Sequence, residues 1–259
     1  MPRRIANAPV SFGAWSLESA QLPSVPPPER VLNAVASAGY DGIELGPLGY
    51  LDPARIAAHG LELAGAYVPI PFGDGLGPLD ATLDVFDAVA PSARPILADD
   101  GATEAPLDLE DVARAVDHAR GRGYEPTFHH HVGTRVETRT QIEELLDGID
   151  VPLLLDTGHL LAVGVDPVEA LHRWRDRIDY VHLKDVDLAV LSSTPDWATA
   201  WRSNPFCELG RGDVDVRGFL AELSGYEGWL VVEQDWVPQP DDDPAEQIAA
   251  QARNLAFLA

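Results

Sequence analysis

The chain has 259 residues, with 18 Lys+Arg against 42 Asp+Glu and a formal net charge of −24 when His is neutral. Hydrophobic residues make up 46% of it, which excludes a disordered chain, and no apolar run reaches the ~18 residues of a membrane span. The acidic balance repels phosphate backbones, so neither a nucleic acid nor an anionic membrane is expected as a partner. Cys207 is the single cysteine, which leaves no intrachain disulfide and no cysteine-rich zinc site. The opening MPRRIANAPV has a basic tip with no apolar stretch behind it. A secretory leader is therefore not expected, and a cytoplasmic location is the default.

Short apolar runs alternate with longer helical patterns. In chain order the sequence predicts a strand over Pro9–Trp15, a helix over Pro28–Ala38, and strands over Asp41–Gly46 and Leu61–Val68. A helix over Leu79–Ala90, a strand over Arg94–Ala98, a helix over Leu107–Arg122 and a strand over Glu125–His131 follow. Next come a helix over Thr138–Leu146, a strand over Pro152–Asp156, a helix opened by Asp166-Pro167 and a strand over Tyr180–Asp185. A strand over Trp229–Asp235 and a helix over Asp243–Leu258 complete the pattern. The strands are rich in Val, Ile or Leu and bounded by Gly, Pro or Asp, as in a parallel sheet buried on both faces. The helices carry their own signals. Val31, Leu32, Val35 and Ala38 form an apolar stripe. Acidic residues open Leu107–Arg122 and Arg120 and Arg122 close it, which complements the helix dipole. Thr138 followed by Gln141 has capping-box spacing, and Pro167 suits a first helical position.

About eight strand–helix pairs in this length, with no Ser/Gly-rich linker, match the arithmetic of a single (β/α)8 TIM barrel of the α/β class over residues 1–259. A doubly wound sheet is the rival, but no G-x-G-x-x-G turn follows the first strand. The least regular stretch is 187–213, a connection long enough to be functional or mobile. Its Trp197 and Trp201 can pack against a second copy of the chain or close over the site.

A barrel carries its site at the C-terminal ends of its strands. There the first half of the chain offers Ser11, Phe12, Trp15, Glu44 and Tyr67, a modest mixture. The second half offers His129-His130-His131 leading to Glu137, then Asp156-Thr-Gly-His159, His182-Leu-Lys184-Asp185 and Glu233-Gln-Asp235. Alternation in VHLKD sends His182 and Lys184 to one face. Carboxylates converging from adjacent strands repel unless a cation neutralises them. Glu137, Asp156, His182 and Glu233 are therefore assigned as ligands of a divalent metal. That oxygen-rich set suits Mn²⁺ first, with Co²⁺ or Mg²⁺ as alternatives. His131 and His159 are placed to orient ligands or contact substrate hydroxyls. Lys184 is placed to stabilise charge or protonate a leaving group. Glu44 and Trp15 are further candidates for substrate contact, and Arg135 and Arg211 are the only basic residues nominated for an anionic group.

GIELGPLGY, HHHVGTRVET, LLLDTGHL, VHLKDV, FCELGRGDVD and GWLVVEQDW, in that order, closely resemble the xylose-isomerase-like TIM barrels. Within that superfamily they are most similar to the inosose dehydratase branch and to proteins called sugar phosphate isomerase/epimerases. The resemblance implies the same metal set, Glu137, Asp156, His182 and Glu233. It also implies a small polyhydroxylated ketone as substrate. Either Glu137 or Glu233 would remove a proton next to the ketone. Lys184 or His159 would then assist departure of the β-hydroxyl, dehydrating a keto-inositol or similar keto-cyclitol. The alternative is isomerisation or epimerisation of a ketose or keto-sugar through an enediolate, with two carboxylates astride one carbon giving epimerisation. Barrels of this kind often self-associate, so a homo-oligomer is compatible with the resemblance.

Overall fold

The computed structural model describes residues 3–71, 75–89, 92–99, 101, 107–193 and 196–259. Its barrel strands are β1 (Arg4–Asn7), β2 (Gly42–Ile43), β3 (Glu62–Leu63), β4 (Gly65–Ile70), β5 (Arg94–Asp99), β6 (Thr127–His129), β7 (Leu153–Asp156) and β8 (Ile178–Leu183). After a short antiparallel pair, β9 (Asp185–Val186) with β10 (Phe206–Cys207), comes the last barrel strand, β11 (Trp229–Val232). The barrel strands are all parallel, in the order β3-β2-β1-β11-β8-β7-β6-β5-β4. The two ends of that order, β3 and β4, flank Ala64 in the chain and are one interrupted stave. Ala64 N–H donates to the Ile43 carbonyl (3.0 Å) and Leu45 N–H to the Gly65 carbonyl (2.9 Å), which carries the ladder across the gap. Nine segments thus make eight staves of a nearly closed parallel barrel.

Residue parity sorts the side chains into an inner and an outer core. Ala6, Ala64, Ile96, Leu154, Tyr180 and Val231 meet inside the barrel. Leu155, Val181, Leu183, Leu230 and Val232, one position away, pack outward against the helices. The helix Pro28–Ala38 lies where expected and ends at Gly39, whose φ of 101° suits a residue without a Cβ. Arg139–Gly148 begins from a complete Thr138/Gln141 capping box. Pro167–Trp174 begins under Asp166, whose carboxylate accepts the N–H groups of Val168 and Glu169. The expected second helix runs over Gly77–Val89, and its expected end, Ala90, lies outside the described residues, as does Pro195 of the long connection.

Three expectations need correction. Pro9–Trp15 is not a strand. The first stave is Arg4–Asn7, and Pro9–Phe12 is a 3-10 turn closed by Gly13 at φ 85°. Pro9 has no N–H to donate to a ladder, so the chain turns across the barrel mouth instead. The DTGHLLA segment is also more than a strand end: Thr157–Ala162 is a helix that starts directly on β7. Finally, the 187–213 connection is built, with helices Leu188–Ser192 and Trp197–Arg202. Buried Asp185 organises its return, accepting N–H groups from Gly210, Gly212 and Val214 at 2.8–3.0 Å.

Candidate active site

The inner parity that fills the barrel with Leu154, Tyr180 and Val231 continues two residues further to Asp156, His182 and Glu233. Asp156 and His182 are paired in the β7–β8 ladder, and Glu233 N–H bonds to the Leu183 carbonyl at 3.1 Å. On β6 the same parity, set by Thr127, turns His129 inward. One ligand atom from each of His129, Asp156, His182 and Glu233 lies within 4.8 Å of all the others, and all four residues are buried. The set is tight: His182 Nδ1 is 3.0 Å from Glu233 Oε2 and 3.6 Å from Asp156 Oδ2, and His129 Nε2 is 3.9 Å from that same oxygen.

Asp156 divides its carboxylate between two tasks. Oδ1 caps the helix Thr157–Ala162 by accepting the His159 N–H at 2.8 Å. Oδ2 is buried with no hydrogen bond, although nitrogens crowd around it. His182 Nδ1 is likewise unpaired by hydrogen-bond geometry. Its other nitrogen, Nε2, is 2.9 Å from Glu44 Oε1, which also accepts the Tyr180 hydroxyl at 3.0 Å. A carboxylate can only accept, so Nε2 carries the hydrogen. Burial opposes a second proton on the ring, but Glu233 and Glu44 outweigh it and hold the imidazole pKa well above the ordinary value. Nδ1 thus faces the cluster where a cation would stand in for that proton. Glu44 thus holds the imidazole and is itself held.

Lys184 extends from the far side, wholly buried. Its ammonium lies 2.8 Å from Glu233, 2.9 Å from both oxygens of Asp235, 3.2 Å from Asp156 and 3.1 Å from His159 Nε2. Burial opposes its charge, but Asp156, Asp235 and Glu233 outweigh burial and hold its pKa well above the ordinary lysine value. Burial likewise opposes ionisation of Glu233, yet His182 and Lys184 hold its carboxyl well below the usual range. Burial pushes Asp235 the other way, upward, with Lys184 only partly offsetting it. His129 and His159 are driven well down and His131 to about 4, chiefly by burial, so these imidazoles are neutral. The His131 Nδ1–H donates to the Val132 carbonyl at 2.8 Å, which leaves Nε2 as its acceptor.

The structure separates the sequence-nominated residues. It brings Asp156, His182, Glu233, Lys184, His159 and His131 together, with Glu44 behind His182. Trp15, 49% exposed, and Tyr67 line the same cavity. Glu137 is a correction. It sits just before the N-cap of Arg139–Gly148, and its Oε2 accepts the Gly133 N–H at 2.7 Å, away from the cluster. Gly133 has a φ of 81°, so the loop turns there and strand parity no longer carries to Glu137. His129 stands in the position expected of Glu137. Arg211 is a second correction: its side chain is 66% exposed and pairs with Glu208 at 3.6 Å, outside the cavity. Arg135 engages Asp99. Asp235 was given no role by the sequence, although its parity with Glu233 carried the signal; Trp201, expected either to meet a second copy or to close over the site, lines the cavity.

The four converging groups fit a divalent cation. An orphaned buried carboxylate oxygen, an imidazole nitrogen whose partner nitrogen is fixed by Glu44, and the neutral imidazole of His129 together form a donor set. With two imidazoles instead of one, that set favours Mn²⁺, Co²⁺ or Zn²⁺ over Mg²⁺, which prefers oxygen.

Residues 103–257 match the family described as xylose isomerase-like TIM barrel. An inosose dehydratase of Geobacillus kaustophilus (strain HTA426) is 32% identical over 276 aligned positions, covering 92% of this chain and 89% of that protein. Among solved structures, a xylose isomerase-like TIM barrel/4-hydroxyphenylpyruvate dioxygenase fusion protein superposes with a TM-score of 0.76 at 22% identity. That match covers 100% of this chain, which spans 43% of the fusion protein. The IOLI protein, solved with a zinc atom, superposes with a TM-score of 0.69 at 15% identity, covering 98% of this chain and 97% of that one. At these identities the structures speak for the fold alone.

Proposed function

The chain belongs to the xylose isomerase-like TIM barrel family, and from that premise we propose that it is a divalent-metal-dependent hydro-lyase acting on a keto-inositol or similar keto-cyclitol, with residues 1–259 as one catalytic domain. The observation that carries this reading is one buried carboxylate, Glu233, standing 2.8 Å from one buried ammonium, Lys184, beside a convergent donor set. The inosose dehydratase similarity supports the same substrate class.

His129, Asp156, His182 and Glu233 would hold a divalent cation, and such an ion would supply Lewis acidity that acidifies a C–H next to a ketone. Glu233, ionised, takes that proton. Lys184, protonated, gives a proton to the β-hydroxyl as its C–O bond breaks, so water leaves and the ring gains a C=C bond conjugated with the ketone. His159 is neutral, so Lys184 and not His159 is the acid. The short Glu233–Lys184 contact returns the abstracted proton to the amine and restores both groups. His131 Nε2 and Asp235 orient ring hydroxyls. An epimerase needs a second base on the opposite face of the carbon. Glu137, the sequence candidate for that role, is held at Gly133, so elimination is the better-supported outcome.

The test is a time course with 2-keto-myo-inositol in D₂O, using protein loaded with Mn²⁺, Co²⁺ or Zn²⁺ and read by proton NMR after chelation of the metal. Loss of one hydroxyl with formation of an enolised dione, absent in Glu233→Gln, is expected. Deuterium entering the α-carbon without loss of water would replace the lyase with an epimerase.

A further inference from the structure

The two carboxylates that hold the Lys184 ammonium most closely lie where the chain leaves the sheet. The ladder of β11 ends with Glu233 N–H on the Leu183 carbonyl at 3.1 Å. Asp235, which meets the ammonium with both oxygens at 2.9 Å, stands two residues further on. Between them is Gln234, turned outward by parity, away from the cavity and toward the helices. Leu230 and Val232, at the same parity, are apolar. Gln234 is a polar side chain in their row, 8% exposed, and its bonds tie down three distant segments. Its N–H donates to Ser11 Oγ at 3.0 Å in the turn after β1, and its Nε2 to the Phe206 carbonyl at 3.5 Å in β10. Its Oε1 accepts from Gln251 Nε2 at 3.3 Å.

Gln251 belongs to the last helix, Pro244–Phe257, and is 2% exposed. Its one amide serves three partners. Nε2 donates to Gln234, while Oε1 accepts from Asn7 Nδ2 at the end of β1 and from Asn254 Nδ2, each at 3.1 Å. The Gln251 carbonyl also accepts the Tyr40 hydroxyl at 2.8 Å, and Asn254 Oδ1 accepts the Leu209 N–H at 2.8 Å. Burying four amides between the barrel and a helix opposes folding where leucines would favour it. What the amides add is direction, since a bonded network admits one arrangement where apolar contacts admit several.

We propose that Gln251, which lies outside the cavity lining, is a positioning residue for the proton-transfer pair. Through Gln234 it sets where Glu233 and Asp235 stand, and through Asp235 it sets where the Lys184 ammonium stands. This rests on the proposed reading of Glu233 as the base and Lys184 as the acid.

Gln251→Met and Gln234→Met keep the length of the side chain and remove its hydrogen bonds. Crystal structures of the two variants, beside the wild type grown in the same way, are expected to show the Lys184–Glu233 contact of 2.8 Å opened beyond hydrogen-bond distance. In the dehydration assay each variant is expected to lose about tenfold or more in kcat with KM within about twofold. The double variant should lose no more than the worse single one, because both act along one route. If Gln251→Met does not fold, Gln234→Met alone carries the structural test. A contact unchanged from wild type, or kcat losses that multiply in the double variant, overturns the inference. Failure of the lyase reading is separate: an opened contact in a protein that does not dehydrate 2-keto-myo-inositol keeps the positioning role and loses the hydro-lyase. Dehydration with the contact unmoved does the reverse.

Discussion

The two halves of the barrel mouth were built by different means. Staves β6, β7, β8 and β11 end in His129, Asp156, His182 and Glu233 on unbroken apolar stems, so parity aims every one of them inward. Staves β1 and β2 end in turns rich in Pro and Gly, and among the described residues this half brings Glu44, Tyr67 and the Trp15 indole to the cavity as polar groups. Regular strands place charges accurately because each ladder hydrogen bond fixes the next residue. Irregular turns make shape. On the proposed function, chemistry would belong to one half and the shape of the pocket to the other, and substitutions should divide the same way.

The largest effect is expected at the ionisable half. Glu233→Gln removes the proposed base and a proposed ligand together, and kcat for dehydration is expected to fall by about 10²–10⁴-fold. Leu48→Asn should raise KM and leave kcat close to wild type. Steady-state kinetics on the two variants break the comparison if both lose kcat equally.

Glu44 lies at the seam between the halves, and its carboxylate acts through His182. Glu44→Gln is expected to weaken metal binding by about 10–100-fold, read as the dissociation constant from the visible spectrum of a Co²⁺ titration. An unchanged constant would make Glu44 part of the cavity wall and nothing more.

Acid should act on the ionisable half before the rest. His130 and His131 are held down at about 4 in the folded protein, chiefly by burial, against 6.5 when exposed. A depressed pKa gives stability that is present above ~6.5 and lost as pH falls toward the folded value. Between pH 8 and pH 5 each should cost on the order of 2 kcal/mol in metal-free protein. Urea midpoints across that range check it, and a flat profile contradicts it.

The smallest effect is expected at Glu137. Glu137→Gln keeps an acceptor for the Gly133 N–H, so kcat/KM should change by less than about twofold and stability by less than ~1 kcal/mol. A tenfold loss of metal affinity in the same titration would return Glu137 to the donor set.

How much was legible in the sequence follows the same division. Asp156, His182, Lys184 and Glu233 could be read because LLLD, VHLK and WLVVE carry an alternation that fixes which residues share a face. The three consecutive histidines carry none, and only the ladder on Thr127 decides that His129 points in while His130 accepts the Asp156 N–H at 3.1 Å. Glu137 lies beyond a turn with positive φ, where counting residues no longer gives direction. The barrel and most helices were readable from stripes and caps. The first stave was not, because RIAN is too short to show a period, and Pro9 drew attention to the wrong segment. The wall that joins Val10, Leu48 and Val68 is a contact between segments far apart in sequence, so no local pattern announces it.

The proposed chemistry depends on a cation seated on His129, Asp156, His182 and Glu233. Crystals soaked in Mn²⁺ and measured by anomalous diffraction test it most directly. One strong peak is expected within bonding distance of those four side chains, with Glu137 still on Gly133. A peak ligated by Glu137 and not by His129, or no peak among the four, would contradict it.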